Sequence, residues 1–242
     1  MSSALDLRHP EPASTHILEL TVEALRVAHN AASAAAEGIA TGSQSVLRTL
    51  REREKELDSL DRDVDDLVTA TITGVEESQT RELLACMKLV ISLERIGDLL
   101  LSFGNRAEMV AARIQSQDIH DLTVMASRLE KMLSDMDSAF RERNLDRSVN
   151  VLRADGELDR LRNLILLRHL EPAPDETRIE SFHVIAMAQE LERAGDHTKN
   201  IAEEVCHLVS GRTVRHVLRA YDRPLEQLFL EQLRAHMVEP HP

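Results

Sequence analysis

Acidic residues spaced four apart are the groups in this sequence whose types and spacing best suit chemistry. On an α-helix, residues i and i+4 lie on one face, one turn apart, so each pair would present two carboxylates together. Clustered carboxylate oxygens bind hard cations such as Mg, Mn and Fe, and Zn is also acceptable. Four such pairs occur at related positions: Glu54/Asp58, Glu94/Asp98, Asp155/Asp159 and Glu192/Asp196.

The sequence repeats itself around these pairs. The segment LERIGD at 93–98 recurs as LERAGD at 191–196, and residues 54–60 recur in similar form at 155–161, with offsets of 98 and 101. Two matches in the same order predict a duplicated unit of about 100 residues. Gly97 and Gly195 recur within segments of helical character, which predicts that a neighbouring helix or a ligand approaches the backbone there.

Turn positions predict that the pairs meet across helical hairpins. Gly74 lies close to midway between Asp58 and Glu94, and a proline-rich turn lies close to midway between Asp159 and Glu192. Two antiparallel helices joined by a short turn place residues equidistant from the turn at the same height. Each repeat would therefore gather four carboxylates, which repel one another unless cations are present.

Salt bridges are the alternative explanation of the paired acids. Arg95, Arg193 and Lys55 lie within the repeated segments and would neutralise the carboxylates in ordinary surface ion pairs. The residues alone leave metal binding and salt bridging equally open.

The elements that must position these residues are helices. Leu, Ala, Glu and Arg dominate, and glycine and proline fall mostly between segments, so we predict an all-α chain of two tandem three-helix bundles. Gly211 is the expected C-terminal stop of the sixth helix, and a short helix follows as far as Pro224. The predicted principal helices cover 15–37, 43–73, 75–115, 118–143, 146–170 and 175–210. The predicted divisions are a flexible N-terminus at 1–14, three-helix repeats at 15–116 and 117–220, and a tail at 221–242.

Composition excludes several classes of protein. The chain has 242 residues and a net charge of -13, and aromatic residues make up 2%, which argues against direct binding of nucleic acid. No apolar run is long enough to cross a bilayer and no secretory signal is evident, so we expect a cytoplasmic protein. Cys86 and Cys206 are expected to be reduced core thiols.

The sequence gives no indication of catalysis. No phosphate-binding loop, nucleophile elbow or zinc-protease motif is present, and we therefore predict that the chain is not an enzyme. Two Glu-x-x-His spacings both fall on the sixth predicted helix, about 36 Å apart, so they cannot form a di-iron site.

One segment resembles a known family. The sequence LERAGDHTKNIAEE at 191–204 resembles the signature of the PhoU family, phosphate-specific transport system regulatory proteins. The resemblance implies two tandem three-helix repeats over about residues 15–220. It also implies surface clusters of iron or zinc held by the eight paired acids. In the first repeat, Leu99, Ser102 and Asn105 replace the residues equivalent to His197, Asn200 and Glu203, which predicts weaker metal binding there.

The resemblance also implies a role. Family members restrain phosphate uptake and the phosphate-starvation response by linking the ATPase subunit of a phosphate ABC transporter to a sensor histidine kinase. We therefore expect a negative regulator that acts as a metal-binding adaptor. A structural helical adaptor without metal, a cytoplasmic regulator of another transporter and a helical-bundle metalloenzyme are the alternatives. The oligomeric state is open, with a homodimer as one option.

Overall fold

The regular secondary structure of the described residues is entirely helical, as predicted. The computed structural model describes residues 13–170 and 178–211, except the side chains of Ala13, Asp155, Leu170 and Arg178. Within these residues the helices are α1 (Ala13–Thr41), α2 (Gln44–Arg48), α3 (Leu50–Thr71), α4 (Glu77–Val110), α5 (Ser116–Glu142), α6 (Leu145–Leu170) and α7 (Arg178–Ser210), with a 3-10 turn at Ile72–Gly74 between α3 and α4.

The long helices form two layers around one apolar core. Helices α3, α4, α7 and α6 lie side by side in that order, because α4 packs against both α3 and α7, and α6 packs against α7. Helices α1 and α5 pack against each other and cover one face of this four-helix layer. The core between the layers is continuous from Ile17 on α1 to Val205 on α7.

The repeat is visible in this arrangement. Helices α1, α3 and α4 form one three-helix unit, and α5, α6 and α7 form the other. Helices α4 and α7, which carry the matching LERxGD segments, run antiparallel, since Lys88 pairs with Glu204 and Arg106 pairs with Glu190. The two units therefore meet through equivalent helices.

The second predicted helix is not continuous, and this prediction was wrong. Instead of one helix over 43–73, the chain forms α2 and α3, which meet at Thr49. The Thr49 hydroxyl donates to the carbonyl oxygen of Val46 at 2.7 Å, and its amide donates to the same carbonyl at 3.0 Å. Bonds of this local kind compete with the regular helical ladder and favour a tighter turn.

Two glycines of α4 allow close contacts with α3. A Cβ built on Gly97 of α4 would lie 2.7 Å from Leu57 Cδ1 of α3, and one on Gly104 would lie 2.5 Å from Leu50 Cδ1. Leu57 and Leu50 are almost completely buried, so any added methyl group would meet a packed core. The predicted close approach at Gly97 is therefore confirmed.

Two helices are followed directly by a glycine in the left-handed conformation. Gly42 has φ +66° directly after α1, and Gly211 has φ +68° directly after α7, as expected for a C-terminal cap. Helix α1 therefore continues to Thr41, beyond the predicted end at residue 37. The predicted flexible N-terminus (apart from its last two residues, in α1), the predicted helix after Arg212 and the predicted tail lie outside the described residues. Among the helices described, none is long and apolar enough to span a membrane.

Candidate functional site

The first carboxylate cluster lies on the hairpin of α3 and α4. The 3-10 turn ends at Gly74, and Glu76 caps the N-terminus of α4 with a capping box in which the Gln79 side chain accepts from the Glu76 amide. This short connection places Asp58 of α3 near Glu94 of α4, close enough for their charges to interact. The turn position in the sequence predicts this proximity, and a role of the pair in metal binding stays a prediction.

The first cluster is defined by Glu94 and the carboxylates whose charges raise its pKa. Burial raises the pKa of Glu94, and the negative charges of Asp98, Asp61 and Asp58 raise it further, against the lowering effect of Arg95. Burial also raises the pKa of Asp61, with added repulsion from Asp65 and Asp58. Asp61 was missed by sequence reasoning, although its position three residues after Asp58 puts it on the same face of α3.

Exposed arginines lie at the rim of this cluster. Arg95 contacts Glu94 Oε2 and Asp98 Oδ2, each at 3.4 Å, and its side chain is 59% exposed. Arg62 contacts Asp58 Oδ2 at 2.9 Å and is also exposed. Arg95 is one of the cations predicted as a counter-ion, but ion pairs this exposed contribute little to stability.

Glu54 is positioned one turn before Asp58 on α3. Its Cα lies 3.6 Å from a Cβ built on Gly97, so its backbone rests against α4 next to Asp98. The side chain is half-buried. Glu54 therefore lies beside the cluster, on the side away from Asp61.

The second cluster lies on the hairpin of α6 and α7 and is organised around an arginine. Arg162 of α6 places Nη2 3.3 Å from Glu192 Oε1 of α7 and 3.5 Å from Asp159 Oδ1. The Gln189 side-chain amide donates to Glu192 Oε2 at 2.6 Å. Asp159 and Glu192 are thus brought together as predicted, and Arg162, which sequence reasoning did not identify, contacts both carboxylates.

Glu192 is the most buried of the predicted site residues whose side chains are described. Burial raises its pKa, the charge of Asp196 and the neighbouring Asp159 carboxyl raise it further, and Arg162 opposes the shift. Asp196 is exposed on the next turn of α7. Asp155 lies on α6 one turn before Asp159, but its side chain is outside the described residues.

A groove of 730 Å³ runs along the contact of α4 and α7. Its lining includes Arg95 of the first cluster and Asp196 of the second, together with His197 and Lys88. Burial lowers the pKa of His197, and Arg193 and Arg95 lower it further. Lys88 Nζ lies 3.0 Å from Glu204 Oε2 across the groove, so this lining carries both signs of charge.

Farther along the same pair of helices, a buried polar contact joins the two repeats. Glu190 of α7 is 8% exposed and accepts hydrogen bonds from Ser102 and from Arg106 Nε at 2.8 Å, both on α4. Ser102 had been noted only as a departure from the family pattern. Its hydrogen bond to Glu190 requires α4 and α7 to lie side by side, and the sequence did not predict that arrangement.

A preformed metal site is absent from the part of the chain that the structure describes. Among those residues, no three His, Cys, Asp or Glu side chains are grouped in a way that could hold a metal ion. The carboxylates of the first repeat nevertheless form an oxygen-rich donor set whose members repel one another. Metal ligation by the eight predicted acids therefore stays a prediction.

Comparisons with known proteins agree with the duplicated architecture. The model of the PhoU domain family matches the chain twice, at residues 21–107 and 122–205. A phosphate-specific transport system accessory protein PhoU homolog of Pseudomonas aeruginosa is 27% identical over 188 residues, covering 76% of this chain and 78% of its own length. A homolog of the same name, PhoU homolog 1 of Thermotoga maritima, is 23% identical and covers 78% of this chain and 83% of its own length.

Solved structures show the same fold. The crystal structure of PhoU from Pseudomonas aeruginosa superimposes with a TM-score of 0.75 at 22% identity, covering 83% of this chain and 98% of that one. The phosphate transport system regulatory protein PhoU from Streptococcus pneumoniae gives a TM-score of 0.69 at 16% identity, covering 83% and 97%. The double match of the family model spans both three-helix units, and the chain therefore belongs to the PhoU family.

Proposed function

We propose that this chain is an accessory protein of phosphate transport that restrains phosphate uptake and the phosphate-starvation response when phosphate is plentiful. The observation that carries the proposal is the match of the PhoU domain model to both repeats. The names of the relatives, phosphate-specific transport system accessory proteins, give the transport system concerned. The chain would act in the cytoplasm by binding other proteins, without catalysing a reaction.

The proposed partners are the ATPase subunit of a phosphate ABC transporter and a sensor histidine kinase. Several large apolar side chains are exposed on the four-helix layer and would be available for such contacts. Met109 of α4, Leu167 of α6 and Phe182 of α7 are each more than 60% exposed. They lie on three of the four helices that form the outer layer.

A genetic experiment tests the proposed role. We expect that deleting the gene derepresses a phosphate-repressed reporter in phosphate-rich medium, and that the wild-type chain restores repression. A chain with Glu94→Gln and Asp98→Asn should restore it poorly if the first cluster is needed. Asp63→Asn, an exposed residue of α3, is the matched control. Full repression in the deletion strain would contradict the proposed function.

We further propose that a hard metal ion, iron or zinc by family resemblance and Mg or Mn by ligand chemistry, binds the carboxylates of the first repeat. Asp58, Asp61, Glu94 and Asp98 supply only oxygen donors, and their mutual repulsion would be relieved by a cation. The bound ion would neutralise the cluster and tie α3 to α4.

A metal-free structural adaptor is the second candidate, and the ion pairs of Arg95 and Arg162 favour it. Elemental analysis of the purified protein distinguishes the two. Bound metal that is lost on Glu94→Gln with Asp98→Asn supports the metal proposal, and metal-free protein with normal repression in cells supports the adaptor.

A further inference from the structure

Residues 61 and 162 occupy matching positions in the two repeats and carry opposite charges. The offset of 101 that aligns Asp58 with Asp159 also aligns Asp61 with Arg162. Both side chains take part in their cluster: Asp61 interacts with Asp58 and Glu94, whereas Arg162 contacts Asp159 and Glu192. The first repeat therefore has an additional carboxylate where the second has a guanidinium.

Arg162 differs from the arginine at the first cluster. Arg95 is 59% exposed and pairs with residues of its own helix, at i−1 and i+3. Arg162 is 27% exposed, its Nε is buried without a hydrogen-bond partner, and its Nη2 bridges two helices. A cation placed between helices and shielded from water interacts more strongly with its partners than an exposed one.

The position of this guanidinium conflicts with metal binding in the second repeat. Nη2 contacts the carboxylates of both Asp159 and Glu192, and the other carboxylate oxygen of Glu192 accepts a hydrogen bond from Gln189. A metal ion on this carboxylate pair would have to displace a half-buried arginine and face its positive charge.

We infer that Arg162 is the resident cation of the second cluster and takes the place that a metal ion would fill, so that metal binding is confined to the first repeat. The statement that metal binding is confined to the first repeat rests on the metal site proposed above. This statement reverses the expectation, drawn from Leu99, Ser102 and Asn105, that the first repeat binds metal more weakly. Residue 61/162 is then the position that determines which cluster accepts a metal.

The first test measures stability without metal. In protein treated with a chelator, Arg162→Gln should lower the melting temperature, because it leaves Glu192 facing Asp159 and Asp196 without a counter-charge. Arg160→Gln, an exposed arginine on the same helix, is the matched control and should change little. Equal melting temperatures for the two variants would overturn the inference.

The second test measures Mn²⁺ binding by titration calorimetry in the full chain. Glu94→Gln should weaken binding by about tenfold or more, whereas Glu192→Gln should leave it unchanged. Exchanging the charges, with Asp61→Arg and Arg162→Asp, should move the binding so that it becomes sensitive to Glu192→Gln. The exchange leaves the net charge unchanged, and Asp61→Arg with Arg160→Asp, which also leaves it unchanged, is the matched control and should not make binding depend on Glu192.

The outcomes separate this inference from the proposed metal site. If wild type binds Mn²⁺ and Glu192→Gln weakens it as much as Glu94→Gln does, the inference is overturned while the metal proposal stands. If wild type binds no Mn²⁺ but Arg162→Gln alone is destabilised, Arg162 is supported as the resident cation and the metal proposal fails.

Discussion

At the scale of single residues, Gly97 determines how closely α3 and α4 approach each other. Its missing side chain leaves space for Leu57, which is fully buried. The approach brings the backbone of Glu54 against α4 and so positions the first cluster. The absence of a side chain at Gly97 thus affects the distance between the carboxylates of α3 and those of α4.

Gly97→Val should therefore destabilise the protein by about 1–3 kcal/mol, because the new side chain overlaps Leu57. Urea denaturation followed by circular dichroism measures the change. Gly156→Ala is the control: a Cβ there meets nothing within 4 Å, so replacing a helical glycine should stabilise by about 1 kcal/mol. A stabilising Gly97→Val would contradict the close contact.

The two thiols should be unreactive in the folded protein. Burial raises the pKa of Cys86 to about 11 and that of Cys206 to about 12. At pH 8 the thiolate, which is the reactive form, is then a fraction of about 0.1% or less. A thiol reagent such as Ellman's should label neither residue in native protein and both in guanidinium chloride. Rapid labelling of native protein would show that one thiol is accessible.

The raised pKa of Glu94 makes stability depend on pH. The carboxyl group of Glu94 has a higher pKa in the folded chain than the 4.5 of an unperturbed Glu, so folding favours its protonated form. The stabilisation that comes from protonated Glu94 is present at pH values below the pKa of this group in the unfolded chain. It is lost as the pH rises through the higher pKa of the group in the folded chain. In chelator-treated protein, Glu94→Gln should be more stable than wild type at pH 7.

The stability advantage of Glu94→Gln should disappear near pH 4, where wild-type Glu94 is protonated. Melting curves over this range measure the difference. A constant difference between the two proteins across pH would mean that titration of Glu94 is not its cause.

At the scale of helices, a buried network joins three helix ends. Asp118 at the start of α5 is 1% exposed and accepts from Arg168 Nη2 at 2.7 Å, with His169 Nε2 3.0 Å away, both near the end of α6. His169 Nδ1 lies 2.9 Å from the Ser181 hydroxyl in α7. The start of α5, the end of α6 and the start of α7 are thus held together.

Asp118→Ala should destabilise the protein by about 2–4 kcal/mol, because it leaves the partly buried Arg168 and His169 without their shared acceptor. Thermal denaturation measures the loss. Gln117→Ala, an exposed neighbour in the same turn, should have little effect. Similar losses for both variants would show that the turn, rather than the buried network, is responsible.

Features that depend on local spacing were predictable from the sequence. The all-α class, the repeat, the hairpin pairing of Asp58 with Glu94 and the close approach at Gly97 all follow from periodicity and turns. Three features could not be predicted in this way: the break at Thr49, the bridge by Arg162 and the contact of Ser102 with Glu190. These depend on local hydrogen bonding or on which helices become neighbours, and a single sequence contains no direct signal for either.

At the scale of the whole molecule, the two repeats share one core. Helix α1 of the first unit packs against α5 of the second, and α4 packs against α7, with Glu190 buried between the units. Neither unit can therefore lose its structure without exposing apolar surface of the other.

The full chain should consequently unfold in one cooperative transition. Helical signal in circular dichroism and the exposure of Cys86 and Cys206 should follow the same urea curve, since the thiols lie in different units. Two transitions, with the thiols becoming exposed at different urea concentrations, would show that the repeats unfold independently.

The antiparallel contact of α4 with α7 is what two copies of an ancestral three-helix protein would make in a symmetric dimer. In such a dimer one mutation alters both copies at once, so an aspartate and an arginine cannot occupy the same position. In a single chain that carries both repeats, residues 61 and 162 are separate positions and can differ. One chain can therefore present two chemically different clusters where a symmetric dimer would present the same cluster twice.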